Sequence, residues 1–415
     1  MAVAPIHLAG NNAPVQEEVD AVPTRVVGGI PPGLHGVFLR NGPNPRSGWS
    51  PHLFAGDGMV HAIALEDGVA RWYRNRYVRT PLYADPSVAR GHPRVTTANT
   101  NVIVHAGRLL ALEEGGFPYE LTQFDLETVG PFTFDGGLRG PMTAHPKRCP
   151  VTGDLLFFGY SVARPHLVFH RAAADGRLTE SRAIDLPACT MHHDFAITDR
   201  FAAFVDGAYT FDLSALATGS PWRWDGDRPT RIGLLPRDGS AAVRWWEVEP
   251  CHLSHAANAW DDGDDVVLVG TRIDGPSSLP VLHEWRIDTA TGRVSERVLD
   301  DRSTEYPRVH DDVIGRRSAS IYTSGFFLDA EPDHGEVVLY DVHGGIAVHR
   351  FPTGHTCGEP VPVDRYLLTF VHDRVVGTSY LAVLDADDVA AAPIAEVHLP
   401  VRVPGGFHGS WVPTA

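Results

Sequence analysis

The feature that most constrains this 415-residue chain is a repeated alternation of short apolar runs with Gly, Asp and Pro. Runs such as Leu155–Val162, Val266–Arg272 and Tyr366–Val371 are rich in β-branched and aromatic residues, and Asp-Gly occurs nine times. With 41 Gly and 33 Pro, few windows could hold three turns of helix. The pattern predicts an all-β protein built from many short strands.

The length exceeds the usual size of a domain with one core, so the chain forms either two or three domains or one domain built from repeated units. Stacked sandwiches and a propeller of four-stranded blades both accommodate many short strands. Histidines scattered singly along the chain suit the propeller better, because inner strands of different blades meet at its axis. We expect an irregular segment at residues 1–25 and a single β-propeller domain at residues 26–415. No Trp-Asp or kelch signature repeats, so the blade number stays open.

Charge and composition exclude several classes of partner. Asp and Glu number 51 against 35 Lys and Arg, for a net charge of −16, and no basic stripe appears, so nucleic acid is not expected as a partner. The first residues lack a basic region followed by an apolar stretch, and no apolar run is long enough to span a bilayer, which predicts a soluble, cytoplasmic protein. The four cysteines form no C-x-x-C pair, which argues against a thiolate zinc site or a disulfide framework.

Four short segments each set a histidine in a distinctive context: Ala144-His145-Pro146, His193-Asp194-Phe195, His255-Ala256-Ala257-Asn258-Ala259 and Phe407-His408-Gly409. Imidazole is the commonest neutral metal ligand, and a nitrogen-only set suits a divalent transition ion such as Fe(II). Ligands spread over most of the chain must come from separate elements that converge. The chain has 22 histidines, so the alternative is a metal-free β-propeller that serves as an interaction platform, with these four in its core.

Ten motifs, in order along the chain, resemble those of the carotenoid cleavage oxygenases, a family that includes stilbene-cleaving dioxygenases. They cover nearly the whole sequence: Phe38-Leu-Arg-Asn-Gly-Pro-Asn-Pro45, Phe54-Ala-Gly-Asp-Gly-Met-Val-His61, Ala98-Asn-Thr-Asn-Val102, Leu110-Ala-Leu-Glu-Glu-Gly115, Thr143-Ala-His-Pro-Lys147, His193-Asp-Phe195, His255-x-x-Asn258-Ala259, Glu305-Tyr-Pro-Arg308, Gly358-Glu-Pro-Val361 and Val403-Pro-Gly-Gly-Phe-His-Gly-Ser-Trp411. The order makes the resemblance highly specific.

The resemblance implies a seven-bladed β-propeller whose axial iron lies under a dome of loops and helices. It implies four ligands: His145, His193, His255 and His408. His193 is favoured over His192 because Asp-Phe comes directly after it, and His255 over His252 because Asn-Ala stands three residues on. His192 and His252 are then expected to support the ligands or to pack beside them.

The resemblance also implies a set of residues around the ligands, since a ligating imidazole needs an acceptor for its other N–H. It pairs three ligands with carboxylates: Glu114 with His193, Glu305 with His255, and Glu359 with His408. His145 is left without one. Thr100 matches a position whose small side chain lies close to the iron and limits access to a coordination position.

The implied reaction is oxidative cleavage of a C=C double bond to two carbonyl products by Fe(II), with dioxygen as co-substrate. Four positions match the surroundings of the substrate: Glu113, Met191, Ser254 and Tyr306. Three of the four are not aromatic, unlike carotenoid-cleaving members, and Glu113 stands where stilbene-cleaving members carry a lysine. The segment Asp85–Arg94 is short and polar, so strong membrane insertion is not expected.

We therefore expect a small apolar or amphipathic alkene as substrate. An apocarotenoid is the first expectation, and a stilbene or phenylpropene-type aromatic alkene is the alternative. A hydrolase or isomerase on the same iron scaffold is a further alternative, and it would form product without consuming dioxygen.

Overall fold

The computed structural model describes residues 5–214, 220–326 and 334–414. Nearly all regular structure in these ranges is β, which confirms the predicted class. The one α-helix among them is Pro81–Ala84, where the Thr80 side chain accepts a hydrogen bond from the Tyr83 amide. The 3₁₀ turns of these ranges are Ile6–Leu8, Gly10–Asn12, Leu53–Ala55 and Asp311–Val313.

The strands are short and follow the punctuated sequence pattern. Up to residue 139 they are β1 (Asp20–Ala21), β2 (Arg25–Gly28), β3 (Gly36–Pro43), β4 (Gly58–Glu66), β5 (Val69–Tyr77), β6 (Asn101–His105), β7 (Arg108–Leu112), β8 (Tyr119–Leu121) and β9 (Thr128–Pro131). The next are β10 (Lys147–Arg148), β11 (Leu155–Tyr160), β12 (Leu167–Ala172), β13 (Leu178–Ile184), β14 (Ala196–Ile197), β15 (Phe201–Asp206), β16 (Tyr209–Phe211), β17 (Trp222–Trp224), β18 (Thr230–Pro236), β19 (Arg244–Val248), β20 (His252–Asp262), β21 (Asp265–Ile273), β22 (Val281–Asp288), β23 (Val294–Arg308) and β24 (Ser320–Gly325). The last are β25 (Glu336–Asp341), β26 (Ile346–Arg350), β27 (His355–Cys357), β28 (Val361–Val363), β29 (Tyr366–Asp373), β30 (Thr378–Asp385), β31 (Ala395–His398) and β32 (Gly409–Pro413).

Two of the hairpins show how residues between the apolar runs form tight turns. Asp67 and Gly68 connect β4 to β5 with φ of 51° and 76°, and Ala106 and Gly107 connect β6 to β7 with φ of 48° and 75°. Two consecutive residues with positive φ are the requirement of a type I′ turn, whose twist matches that of antiparallel strands. The turn residues therefore set these two registers.

The chain divides into two compact units, the first formed by Met1–Arg139 with Tyr322–Ala415 and the second by Gly140–Ile321. The first unit contains three complete sheets, with strand orders β1-β5-β4-β3-β32, β6-β7-β8-β9 and β2-β31-β30-β29-β27, and also the antiparallel pair β25-β26. In the third of these sheets β28 also pairs with β29. In the first of these sheets β3 pairs with β32, so that Arg40 lies opposite Gly409. The sheet joins the two ends of the sequence within one unit.

The second unit contains the orders β10-β11-β12-β13, β14-β15-β18-β19 and β20-β21-β22-β23, and the pair β16-β17. Its core includes a cluster of aromatic rings: Phe158 meets Phe195 edge-on at 5.3 Å, and Phe195 stacks on Phe204 at 5.5 Å. All three rings are fully buried. Because Phe195 lies two residues after His193, this packing anchors the loop that carries His193.

Candidate metal centre

The histidines singled out by the sequence occupy equivalent places in their sheets. His255 lies in β20, whereas His145, His193 and His408 stand one to three residues before β10, β14 and β32. Each of these four strands lies at one end of the strand order of its sheet. All four histidines therefore lie in or beside edge strands.

Three of these imidazoles approach one another closely within the second unit. The Nε2 atom of His193 lies 3.1 Å from Nε2 of His145 and 3.2 Å from Nε2 of His255. The rings meet edge-on, with centroids 4.5 Å apart for His145 and His193 and 4.9 Å apart for His193 and His255. The Nε2 atoms therefore point to a common centre.

One ring nitrogen from each of His145, His193 and His255 lies within 4.8 Å of the others, so these histidines of the second unit could bind a metal ion. His145 and His255 are buried and His193 is half-buried. Neutral nitrogen donors of this kind fit a divalent ion of the first transition series, such as iron, cobalt or zinc.

The backbone around His255 is irregular, and the irregularity directs its ring. The pairing of β20 with β21 shifts register between Leu253 and His255 and again between Ala256 and Asn258. Such bulges bend a strand and turn a side chain away from its regular direction. A Cβ at Gly270, on the facing strand, would come within 2.5 Å of the His255 carbonyl oxygen, so this close approach requires glycine.

Glu305 fixes the other nitrogen of His255. Its Oε2 atom lies 2.6 Å from His255 Nδ1 and also accepts hydrogen bonds from the Thr271 hydroxyl at 3.1 Å and the Tyr306 amide at 3.2 Å. Burial by itself would raise the pKa of the Glu305 carboxyl, but His255 and the hydroxyls of Ser254 and Thr271 bring it below its ordinary value. The carboxylate form is thus favoured, and it can accept the Nδ1 proton.

Tyr306 holds a strained backbone next to this contact. Its φ is +55°, a region that bulky residues rarely adopt and that costs of order 1–3 kcal/mol. This conformation lets the Tyr306 amide turn back toward Glu305, and it places the phenol ring 5.7 Å from the His255 ring. The strain is therefore located at the carboxylate that orients His255.

His408 has a similar arrangement within the first unit. Its Nδ1 lies 2.9 Å from Glu359 Oε1, while Glu359 Oε2 accepts a hydrogen bond from the Gly409 amide at 2.7 Å. The His408 amide donates to the Thr100 carbonyl at 3.1 Å, and the Asn41 amide donates to the His408 carbonyl at 3.0 Å. The Nδ1 contacts of His255 and His408 are both the pairings that the family resemblance implies.

Thr100 is buried and stands directly before the edge strand β6. Its hydroxyl donates to Asn99 Oδ1 at 3.0 Å, and its amide donates to the Leu112 carbonyl at 2.8 Å. The Asn41 side chain donates to the carbonyls of Ala98 and Asn101, on either side of Thr100, at 2.8 and 2.9 Å. Asn41 therefore holds both the Thr100 segment and the His408 backbone.

Sequence reasoning missed two residues that contact the histidine segments. Thr271 accepts a hydrogen bond from the His255 amide at 3.0 Å and donates to Glu305, but it stands in an ordinary apolar run. Asp194, in the His-Asp-Phe motif, has Oδ2 4.0 Å from His145 Nδ1. The resemblance left His145 without a carboxylate, whereas the structure places one beside it.

The two neighbouring histidines contact other side chains. His192 is buried, with Nε2 3.0 Å from the Thr190 hydroxyl and its ring against Phe158. His252 packs edge-on against Tyr209 at 5.2 Å, and burial together with the nearby His193 lowers its pKa to about 3. His252 therefore stays neutral at physiological pH.

The four positions expected to surround the substrate are half-buried. Glu113 accepts hydrogen bonds from the Thr96 hydroxyl at 2.6 Å and the Gly115 amide at 2.9 Å. Burial raises the pKa of the Glu113 carboxyl; the Thr96 hydrogen bond opposes this rise, and the charge of Glu114 adds to it. The contact predicted between Glu114 and His193 stays a prediction.

The other three of these positions lie in the second unit. Ser254 Oγ lies 3.5 Å from His255 Nδ1, and Tyr306 packs against the same ring. The Met191 amide donates to the Tyr209 carbonyl at 2.9 Å. Ser254 and Tyr306 thus contact a histidine of the cluster through their side chains, and Met191 is two residues before His193 in sequence.

An exposed aromatic residue lies close to His408. Phe54 is 64% exposed, and its ring stacks on that of Phe407 with centroids 5.6 Å apart. Phe407 directly precedes His408 and is itself buried. An apolar molecule that contacts Phe54 would therefore be next to the segment that carries His408.

An all-β scaffold with a nitrogen-only cluster defines a candidate metalloenzyme, and comparisons with known proteins identify its class. The family model described as retinal pigment epithelial membrane protein (RPE65) matches residues 12–413. The carotenoid cleavage oxygenase of Mycobacterium tuberculosis is 36% identical over 98% of this chain and 97% of its own length. Carotenoid 9,10(9′,10′)-cleavage dioxygenase 1 of Pisum sativum is 32% identical, over 98% of this chain and 89% of its own.

Solved structures give the same result. A lignostilbene dioxygenase of Pseudomonas brassicacearum is 28% identical with a TM-score of 0.89, and the match covers 99% of each chain. Cobalt-substituted apocarotenoid oxygenase of Synechocystis is 25% identical with a TM-score of 0.87, over 97% of each chain.

The chain therefore belongs to the carotenoid cleavage oxygenase family. It is an alkene-cleaving dioxygenase. No helix in the described part of the chain is long and apolar enough to cross a lipid bilayer.

Proposed function

We propose that this protein binds one Fe(II) ion through His145, His193, His255 and His408 and cleaves a C=C bond of a carotenoid-derived alkene. The observation that carries the proposal is the orientation of the imidazoles. Nε2 atoms of three histidines converge, and Nδ1 of His255 and of His408 lies at hydrogen-bond distance from a carboxylate. Imidazoles held in this way by carboxylates are typical of metal ligands.

We also propose the seven-bladed propeller, with a dome over the axial iron, as the architecture. Its support is that His145, His193 and His255 lie in, or just before, the first strand of three different sheets, and that Thr100 precedes the first strand of a fourth. Inner strands of successive blades would present such residues at one axis.

The chemistry needs little from ionisable side chains. Cleavage of R–CH=CH–R′ with one O2 gives R–CHO and R′–CHO. The σ and π bonds between the two alkene carbons and the O–O bond break, two C=O bonds form, and no proton is gained or lost. Iron(II), when bound, supplies the electron transfer that lets dioxygen react with an alkene. The protein contributes to the reaction rate by positioning the double bond and by excluding water.

Particular residues of this chain have definite parts in that task. The histidines hold the ion, and Glu305 and Glu359 keep the Nδ1 protons of His255 and His408 in place. Thr100, fixed by Asn41 and by the His408 amide, presents a small side chain that limits which positions around the ion are open. Tyr306 would contact the substrate from beside the His255 ring.

The substrate that this arrangement favours is an apocarotenoid with a polar end. Phe54 and Phe407 provide stacked aromatic surface beside His408 for a conjugated chain. Glu113, held by Thr96 and Gly115, offers a half-buried carboxyl group that can bond to a hydroxyl. The apocarotenoid oxygenase of Synechocystis, which has a TM-score of 0.87 with this chain, supports the same class of substrate.

A hydroxylated stilbene or phenylpropene is the second candidate, because the solved lignostilbene dioxygenase has a TM-score of 0.89 with this chain. Glu113 could bond to a phenol hydroxyl as readily as to an aliphatic one. The two substrate classes differ in length and in the number of conjugated double bonds, so a direct comparison separates them.

The test is an oxygen-uptake and product assay under ¹⁸O₂ with a panel of apocarotenoids and hydroxystilbenes. We expect consumption of one O2 per alkene and ¹⁸O in both carbonyl products of an apocarotenoid, measured by mass spectrometry before exchange with water. The iron-free control is the variant His255→Ala. Product without oxygen uptake would identify a hydrolase or isomerase instead, and a wild-type protein that binds no iron would favour the interaction platform.

A further inference from the structure

One buried carboxylate contacts all three histidine segments of the second unit. Asp194 is 4% exposed. Its Oδ1 accepts hydrogen bonds from Lys147 Nζ and from the Phe195 amide, both at 2.7 Å. Its Oδ2 accepts from the Ala256 amide at 2.8 Å and lies 4.0 Å from His145 Nδ1.

The partners of Asp194 are each close in sequence to a histidine of the cluster. Lys147 lies two residues after His145, Asp194 itself comes directly after His193, and Ala256 directly after His255. Three segments that follow one another at intervals of 48 and 62 residues along the chain are therefore joined through one side chain.

We propose that Asp194 is the positioning residue of His145, the ligand for which the family resemblance supplies no carboxylate. This rests on the proposed function. His145 Nε2 faces the cluster, while its Nδ1 atom lies 4.0 Å from Asp194 Oδ2, close enough for the charge of the carboxylate to act on the ring. The 4.0 Å separation makes this contact longer than those of Glu305 and Glu359, so Asp194 acts on His145 chiefly through charge and through the backbone segments that it holds.

Lys147 makes the arrangement stable. Its ammonium is 16% exposed and balances the charge of Asp194, which is 2% exposed at the side chain. A buried carboxylate without such a partner is strongly destabilising. In this proposal Lys147 stabilises the fold, whereas Asp194 both stabilises the fold and orients a ligand.

That difference gives a direct test with three variants: Asp194→Asn, Lys147→Met and the double variant. Each single change breaks the same ion pair, but only Asp194→Asn removes the carboxylate that faces His145. The double variant removes the carboxylate without leaving the ammonium unpaired, so it folds even if Asp194→Asn does not. Asp261→Asn is the control, since Asp261 lies later in β20 and pairs with Arg200 instead.

The measurements are the affinity of the apo-protein for Fe(II) and the d–d absorption spectrum with Co(II), alongside thermal unfolding. We expect Asp194→Asn and the double variant to bind Fe(II) about 10–100-fold more weakly than wild type and to shift the Co(II) bands. Lys147→Met should lower the unfolding temperature while its affinity and spectrum remain close to those of wild type, as should those of Asp261→Asn.

Equal metal affinities in the double variant and Lys147→Met would overturn the proposal, because Asp194 would then have a structural role alone. So would an equal loss of affinity in Lys147→Met and Asp194→Asn. Failure of the proposed function gives a different result: wild type itself would bind neither ion.

Discussion

The two nitrogens of the His255 imidazole have separate tasks at this site. In His255 the Nε2 atom faces the cluster and the Nδ1 atom faces Glu305, whose other contacts come from Thr271 and Tyr306. The carboxylate fixes which nitrogen carries the proton and keeps the ring from turning. The strained Tyr306 backbone is part of the same hydrogen-bonded arrangement, because the Tyr306 amide donates to Glu305.

The contribution of this carboxylate can be measured with Glu305→Gln. The amide has one acceptor oxygen in place of two and carries no charge. It therefore accepts a weaker hydrogen bond from His255 Nδ1, and the same oxygen must also accept from Thr271 and Tyr306. We expect the affinity for Fe(II) to fall by about 10–100-fold, measured by competition with a chelator. Glu296→Gln is the control, since Glu296 pairs with Arg272. Unchanged affinity in Glu305→Gln would contradict this account.

Among individual residues, the sequence predicts the site residues that stand in recognisable motifs. It does not predict those whose contacts depend on the register of strand pairing. The motif residues after His193 and His255 distinguish them from His192 and His252, and the structure groups the former two with His145. Thr271 reaches Glu305 only because β21 pairs with β20 in one register. Nothing near Thr271 in the sequence indicates that contact.

Secondary structure elements position the site through close backbone approaches. The Gly58 amide, at the start of β4, donates to the Thr97 carbonyl at 3.0 Å, and a Cβ at Gly58 would lie 2.4 Å from the Ala98 carbonyl oxygen. That carbonyl also accepts from Asn41, which holds the segment before Thr100. The glycine is therefore required by a contact between two chain segments.

The variant Gly58→Ala tests this contact. Its new methyl group would push against backbone atoms that cannot turn away, so we expect a loss of about 1–3 kcal/mol in the free energy of unfolding, measured by chemical denaturation. A Cβ at Gly33 would meet nothing within 4 Å, so Gly33→Ala is the matched control and should change stability little. Equal effects of the two changes would rule out the close approach.

Strand identity could be predicted at the scale of elements, but strand partners could not. Short apolar runs and turn residues such as Asp67-Gly68 predict the all-β class, and the hairpin from β4 to β5 has the expected turn. The pairing of β3 with β32 joins residues more than 350 positions apart in sequence, and local patterns carry no information on it. The register shifts beside His255 are likewise not indicated by the local sequence.

For the whole molecule, the resemblance that runs from the first motif to the last is the strongest guide. The family model covers residues 12–413, and relatives align over nearly their full length. Ten separate motifs could indicate one family because each belongs to a different part of a large structure. The alkene is not predictable in the same way, since it depends on the individual side chains that surround the substrate.

The central claim is that four histidines of this chain bind one iron, and iron content tests it most directly. Wild type, His255→Ala, His408→Ala and the control His170→Ala would be loaded with Fe(II) without oxygen, desalted and measured by plasma mass spectrometry. His170 is also buried but contacts Ser181 instead. We expect about one iron per chain in wild type and the control and little in the other two variants, because each loses a ligand. Wild-type iron content in either His255→Ala or His408→Ala would contradict the assignment of the site.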